Sequence, residues 1–145
     1  MKRLHIHTTA HSSGDPASVY RLLADGSTWP EWSDLGSFEL ESPAPEGGEG
    51  VGAIRVFRTG RYTSRERVAE VRPPERFSYE LLSGLPLRRY RADVDLTPTV
   101  DGTDISWSSS FEPSRPGTGW IYRRALAKFI ASCVEGLARA ADAPT

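Results

Sequence analysis

Apolar and polar positions alternate at the start of the chain. Leu4, Ile6, Thr8 and Ala10 fall on one side of residues 4–12, and His5, His7, Thr9 and His11 on the other. A period of two over such a run predicts a half-buried β-strand. The pattern then changes in GDPASVYRLLAD, where Asp15 is placed to cap a helix and Pro16 to open it. Val19, Leu22 and Leu23 give that helix a short apolar stripe, which closes at Asp25-Gly26. GSTWPEWSDLG comes next. Its Trp29 and Trp32 lie three residues apart, so one further helical turn would set both indoles on the same face.

From Ser37 the period of two returns. It predicts strands over 37–41, 51–58, 62–71, 76–82, 88–97 and 104–111, broken by SPAPEGGEG, Gly60, Pro73-Pro74, SGLP and Asp101-Gly102. Asp-Gly between two alternating runs is a strong hairpin signal. After EPSRPGTG the period lengthens. Ile121, Tyr122, Ala125, Leu126, Phe129, Ile130, Cys133, Val134 and Leu137 recur at three- and four-residue steps, predicting a helix from Gly119 to about Ala141. Such a helix is on the order of 33 Å long, enough to cross a whole sheet. One strand, two short helices, about six antiparallel strands and a long helix make an α+β domain, with no linker dividing residues 1–145.

Composition narrows the partners. The 145 residues carry a formal net charge of −1 and 38% hydrophobic residues, enough apolar content for one core and no basic footprint for nucleic acid. No run approaches the roughly 20 apolar residues of a membrane span, and the N-terminus lacks a signal-peptide apolar stretch. A cytoplasmic protein without membrane insertion, monomeric or homodimeric, is expected. The single cysteine, Cys133, excludes an internal disulfide and sits on the apolar helix face, where a thiol behaves as a small hydrophobe. GGEGVG precedes a strand rather than opening a helix, so it does not read as a phosphate loop. His5, His7 and His11 share a face opposite the apolar one and lack a nearby carboxylate or cysteine partner in sequence, so neither metal nor cofactor is expected.

Several segments, in order, resemble the START/Bet v 1-like superfamily, in its polyketide cyclase/dehydrase and lipid-transport branch. They are DPASVYRLLADGSTWPEW, GVGAIRVFRTG, RERVAEVRPPERFSYELLSGLPLRRYRADVDL, GTDISWSSSFEP and the terminal helix. The resemblance implies a helix-grip fold, a curved antiparallel sheet of about seven strands wrapped around the C-terminal helix. It also implies a cavity between them for a hydrophobic small molecule.

Alternation then assigns side chains to the inner face: Phe77, Tyr79 and Leu81 on one strand, Tyr90, Ala92, Val94 and Leu96 on the next, and Ile105, Trp107, Ser109 and Phe111 on the last. The candidate ligand-binding set is Trp29, Phe57, Tyr79, Leu81, Tyr90, Trp107, Phe111, Tyr122, Leu126 and Phe129. Plain core packing is the alternative for each. Trp32 is expected to anchor its helix to the sheet, with Trp29 bordering the cavity. A hairpin about Gly60 places Arg55 opposite Glu66, Phe57 beside Ser64 and Ala53 beside Val68. Arg58, Thr63, Arg65 and Arg67 make the other face too cationic to bury, so Arg55 and Glu66 are expected on the concave side as a cross-strand ion pair. In one reading they are catalytic, Arg55 stabilising an enolate during an aldol cyclisation and Glu66 holding it or moving a proton. In the other they form a rim pair of little energetic weight. The functions left open are ligand binding with cyclase, aromatase or dehydratase chemistry, a non-catalytic lipid or metabolite carrier, and a partner-binding domain with a collapsed cavity.

Overall fold

The computed structural model of the chain describes residues 2–144. Strand β1 (Leu4–Ser12) leads into helix α1 (Pro16–Ala24), a tight helical turn (Gly26–Thr28) and the single-turn helix α2 (Trp29–Trp32). Strands β2 (Ser37–Ser42), β3 (Ile54–Thr59), β4 (Tyr62–Arg72), β5 (Arg76–Ser83), β6 (Leu87–Thr99) and β7 (Gly102–Pro113) follow, and helix α3 (Gly119–Ala141) ends the fold. The strands form one antiparallel sheet in the order β1-β7-β6-β5-β4-β3-β2. This is the curved α+β helix-grip arrangement. Register shifts at Leu40/Ser42, Arg65/Glu66, Val68/Glu70 and Arg88/Arg91 bend its strands.

Local signals explain most boundaries. The Asp15 carboxylate accepts from the Ser18 N–H at 2.8 Å and caps α1, with Pro16 in its first turn. Strand β3 starts at Ile54, not residue 51, because Gly52 takes a φ of +95° and Ala53 donates back to the Gly50 carbonyl at 3.0 Å. The β6–β7 hairpin runs longer than the alternation suggests and turns on Val100-Asp101. On the outer face, His7 bonds Ser106 and His11 bonds Asp104, both at 2.8 Å, across the β1–β7 pair.

Helix α3 packs mainly on β1 and β7, with α1 and α2 laid against it. Its two halves differ. Ile130, Cys133, Val134, Leu137, Ala138 and Ala141 in the second half are buried, whereas Tyr122, Leu126, Ala127 and Phe129 in the first are only partly covered. The second half is clasped by small residues. The Ser12 hydroxyl donates to the Ala138 carbonyl at 2.8 Å, tying β1 to the helix end. Gly136 lies so close to α2 that a Cβ there would stand 1.8 Å from the Trp32 carbonyl oxygen.

Because that neighbour is backbone, Gly136→Ala must push α2 away from α3 instead of rotating a side chain. We expect a loss of about 1–3 kcal/mol in urea unfolding, with changed tryptophan fluorescence of the folded protein as the two indoles move.

Candidate ligand cavity

A cavity of about 320 Å³ lies under the first half of α3, where the helix stands off the sheet. Trp29 and Phe57 line one wall and Tyr79, Leu81 and Tyr90 the floor. Tyr122, Leu126 and Phe129 descend from the helix. Leu35, Tyr62 and Leu85, from the loop after α2 and the tips of the β3–β4 and β5–β6 turns, form the mouth. Tyr62 is 66% exposed there.

Trp29 is the hub of the wall. Its ring centroid lies 4.8 Å from that of Trp32, 5.3 Å from Phe57, 5.8 Å from Trp107 and 5.9 Å from Tyr79. The indole N–H donates to the Leu23 carbonyl at 3.0 Å, the polar partner that a buried tryptophan needs. Trp32 packs beside Trp29 and 6.4 Å from Trp107, away from the cavity surface. It donates to the Thr28 hydroxyl at 3.1 Å, and its backbone rests on Gly136.

The β3–β4 register is the expected one, with Arg55 opposite Glu66, Phe57 opposite Ser64, and Val68 donating to the Ala53 carbonyl at 2.9 Å. Both charged residues are buried on the concave side, Arg55 fully and Glu66 to 9% exposure. They do not close into an ion pair. The Arg55 guanidinium turns towards the end of α1, where Nη1 donates to the Leu23 carbonyl at 3.1 Å and to the Glu49 carboxylate at 3.4 Å. It lies 4.8, 5.0 and 5.3 Å from the ring centroids of Trp29, Phe77 and Phe57, positions that favour cation–π attraction. Glu49 also accepts from the Gly26 N–H at 2.8 Å, so it joins the β2–β3 loop to the turn after α1.

Glu66 is left facing the void, and its Oε1 has no hydrogen-bond partner among the described residues. Burial pushes its pKa up to about 7, against the opposing pull of the Arg55 charge. Burial also holds the Tyr79 and Tyr90 hydroxyls well above the usual phenol range, so both remain protonated donors. Their rings lie 6.2 Å apart on the same floor.

The sequence profile of the family described as polyketide cyclase/dehydrase and lipid transport matches residues 3–142. The chain belongs to that family. No curated protein sequence matches it. Among solved structures, the chain is similar to a START superfamily protein from Mycobacterium smegmatis, with TM-score 0.80, 10% identity, and coverage of 94% of this chain and 96% of that one. It is also similar to XoxI from Bacillus cereus (TM-score 0.75, 19% identity, 94% of each chain). A third likeness is to Ara h 8.0201 (TM-score 0.68, 15% identity, 94% and 99%). At such identities these likenesses establish the START/Bet v 1-like fold alone.

Three expected site residues of this family member lie elsewhere than on the cavity surface. Trp107 packs edge-on against Trp29 at 5.8 Å and does not reach the cavity surface; Phe111 stacks against Tyr90 at 6.3 Å, and it is Tyr90 that reaches the surface. Arg55 is shut behind Trp29 and Phe57. Alternation identified the inner face of each strand but could not tell which inward residues another side chain covers. Glu49 went unnoticed because it is a lone acid in a glycine-rich loop, where no periodicity applies. Leu35 and Leu85 escaped for the same reason.

Between pH 4.5, the usual value for a glutamate, and about 7, the folded protein holds a proton on Glu66 that the unfolded chain has released. Stability therefore falls as pH rises through that window and levels off above it. Glu66→Gln removes the contribution. In urea unfolding the variant should gain about 2–4 kcal/mol over the parent near pH 8 and little near pH 4.

Proposed function

We propose that the protein captures a hydrophobic small molecule, polyketide-like, aromatic or lipid, in the cavity beneath α3. The cavity itself carries the reading: about 320 Å³ of space walled by Trp29, Phe57, Leu81, Leu126 and Phe129, at the lower end of the range of small-molecule pockets. Removing apolar ligand surface from water there supplies roughly 25 cal/mol per Å², and the rings of Trp29 and Phe57 are already held by their neighbours. Family membership supports ligand binding in general. The near-neutral charge suits a domain whose partner is a small molecule and not a nucleic acid.

Cyclase, aromatase or dehydratase chemistry is the second reading, favoured by one observation. A carrier of apolar molecules has no need of a carboxyl that titrates near neutrality at the cavity surface, and Glu66 is one. In such a reaction Glu66 would move the proton, and the fold of the cavity would bring the ends of a flexible chain together.

Leu126 is only partly buried on α3, so Leu126→Trp should fill the cavity with little harm to the fold. We expect an anilinonaphthalene dye to bind the parent protein and to lose about 10-fold or more in affinity in the variant, with unfolding free energy within about 1 kcal/mol. Native mass spectrometry of protein from its source should show a co-purifying apolar molecule. Dye binding indifferent to Leu126→Trp, together with an empty native species, would overturn the proposal.

A further inference from the structure

Given the cavity reading, the geometry points to a ligand that enters polar end first and sets a single neutral hydroxyl against Glu66, so that Glu66 selects phenols and alcohols over their apolar parents. Four observations lead there. Glu66 is more than nine-tenths buried, and its Oε1 lacks a partner among the described residues in a cavity whose other walls are largely hydrocarbon. Leaving such an acceptor dry is costly, so the occupant that binds best brings a donor to it. The Tyr79 and Tyr90 hydroxyls on the same floor can donate but, as neutral groups, are suited to a neutral partner. Finally, Glu49 already accepts from Arg55, and Arg55 stands behind the aromatic wall.

That charge arrangement sorts the ligand classes. Above about pH 7, where Glu66 is ionised, a carboxylate ligand would meet it in a desolvated site, as like charge against like. An ammonium ligand would enter the field of the buried Arg55 guanidinium, whose charge acts on Glu66. A ketone or ether offers no hydrogen to Oε1. A neutral hydroxyl donates to the carboxyl and can accept from a tyrosine with one atom, satisfying Glu66 without adding charge. Glu66 would thus be a specificity-determining residue, with the apolar body of the ligand lying outward against Leu126 and Phe129.

The test uses a matched series on the intact chain, read by isothermal titration near pH 8, where Glu66 is ionised and a naphthol is still neutral: naphthalene, a naphthol, its methyl ether, the naphthoate and the naphthylmethylammonium ion. The naphthol should bind the parent protein about 10-fold or more tightly than naphthalene or the ether, and both ions should bind more weakly than the naphthol. Glu66→Leu should abolish the preference while keeping naphthalene binding, which also shows that the variant is folded. Glu66→Gln, which retains an acceptor oxygen, should keep part of the preference. Equal binding of naphthol, ether and naphthalene to the parent would overturn the inference and leave the cavity reading standing. So would tighter binding of either ion. Failure of every member to bind would overturn both.

Discussion

The Leu23 carbonyl, at the end of α1, accepts two hydrogen bonds at once, from the Trp29 indole and from the Arg55 guanidinium. Much of the site depends on that shared acceptor. It sets the angle at which the chain leaves α1, and so where the WPEW turn places its first ring. Arg55 adds Glu49, which in turn holds Gly26, so a helix end, a tight turn and the β2–β3 loop meet on one guanidinium. Burying that charge is expensive, and burial lowers the guanidinium pKa. A helix C-terminus, one carboxylate and three aromatic rings offset the cost. The arrangement is a structural bolt: removing Glu49 would strand the Arg55 charge in the interior.

The same bolt keeps the cavity open. Trp29 cannot swing into the void while its N–H is held by Leu23 and its ring is fitted between Arg55, Phe57 and Trp107. On the opposite side, the second half of α3 is clamped by Gly136 against α2 and Ser12 against Ala138, and its start is tied to β1 by Arg123, which donates to the His5 carbonyl at 3.0 Å. Between these ties the helix spans a sheet bent by its bulges, and Leu126 and Phe129 face the cavity, only partly covered. A close-packed interior would have given those side chains partner atoms. Here the missing contacts are left for a ligand to supply.

How much of this could be read in the sequence follows from the range of each signal. Alternation and hairpin chemistry are local, and they sufficed for the elements, their order and the pairing of Arg55 with Glu66 on the concave face. Whether a residue reaches a cavity is decided by what stands in front of it. Trp107 and Tyr79 carry the same inward signature, yet the first packs against Trp29 away from the cavity surface and the second lines it. Side-chain direction beyond Cβ is equally non-local. Arg55 and Glu66 are neighbours across the ladder, but the guanidinium follows the acceptors at Leu23 and Glu49, neither of which lies on its own hairpin. The two tryptophans of GSTWPEWSDLG show the limit of helical spacing. Sharing a face does not give them the same neighbours, and the wall against Arg55 distinguishes them.

Separating the charge from the cavity also changes what chemistry the site could perform. An enolate formed in this space would not touch the Arg55 guanidinium, which lies behind Trp29 and Phe57. Donors available to it on the cavity surface would include the hydroxyls of Tyr79 and Tyr90, kept protonated by burial. Glu66 would be the base, and the pull of Arg55 through the aromatic wall limits how far its pKa rises. Capturing a ligand asks only for the void and one partner for Glu66. Reaction asks, in addition, that an acidic carbon of the ligand rest within reach of that carboxyl. The two functions therefore share one binding step, and the ligand's own atoms opposite Glu66 decide whether anything follows it.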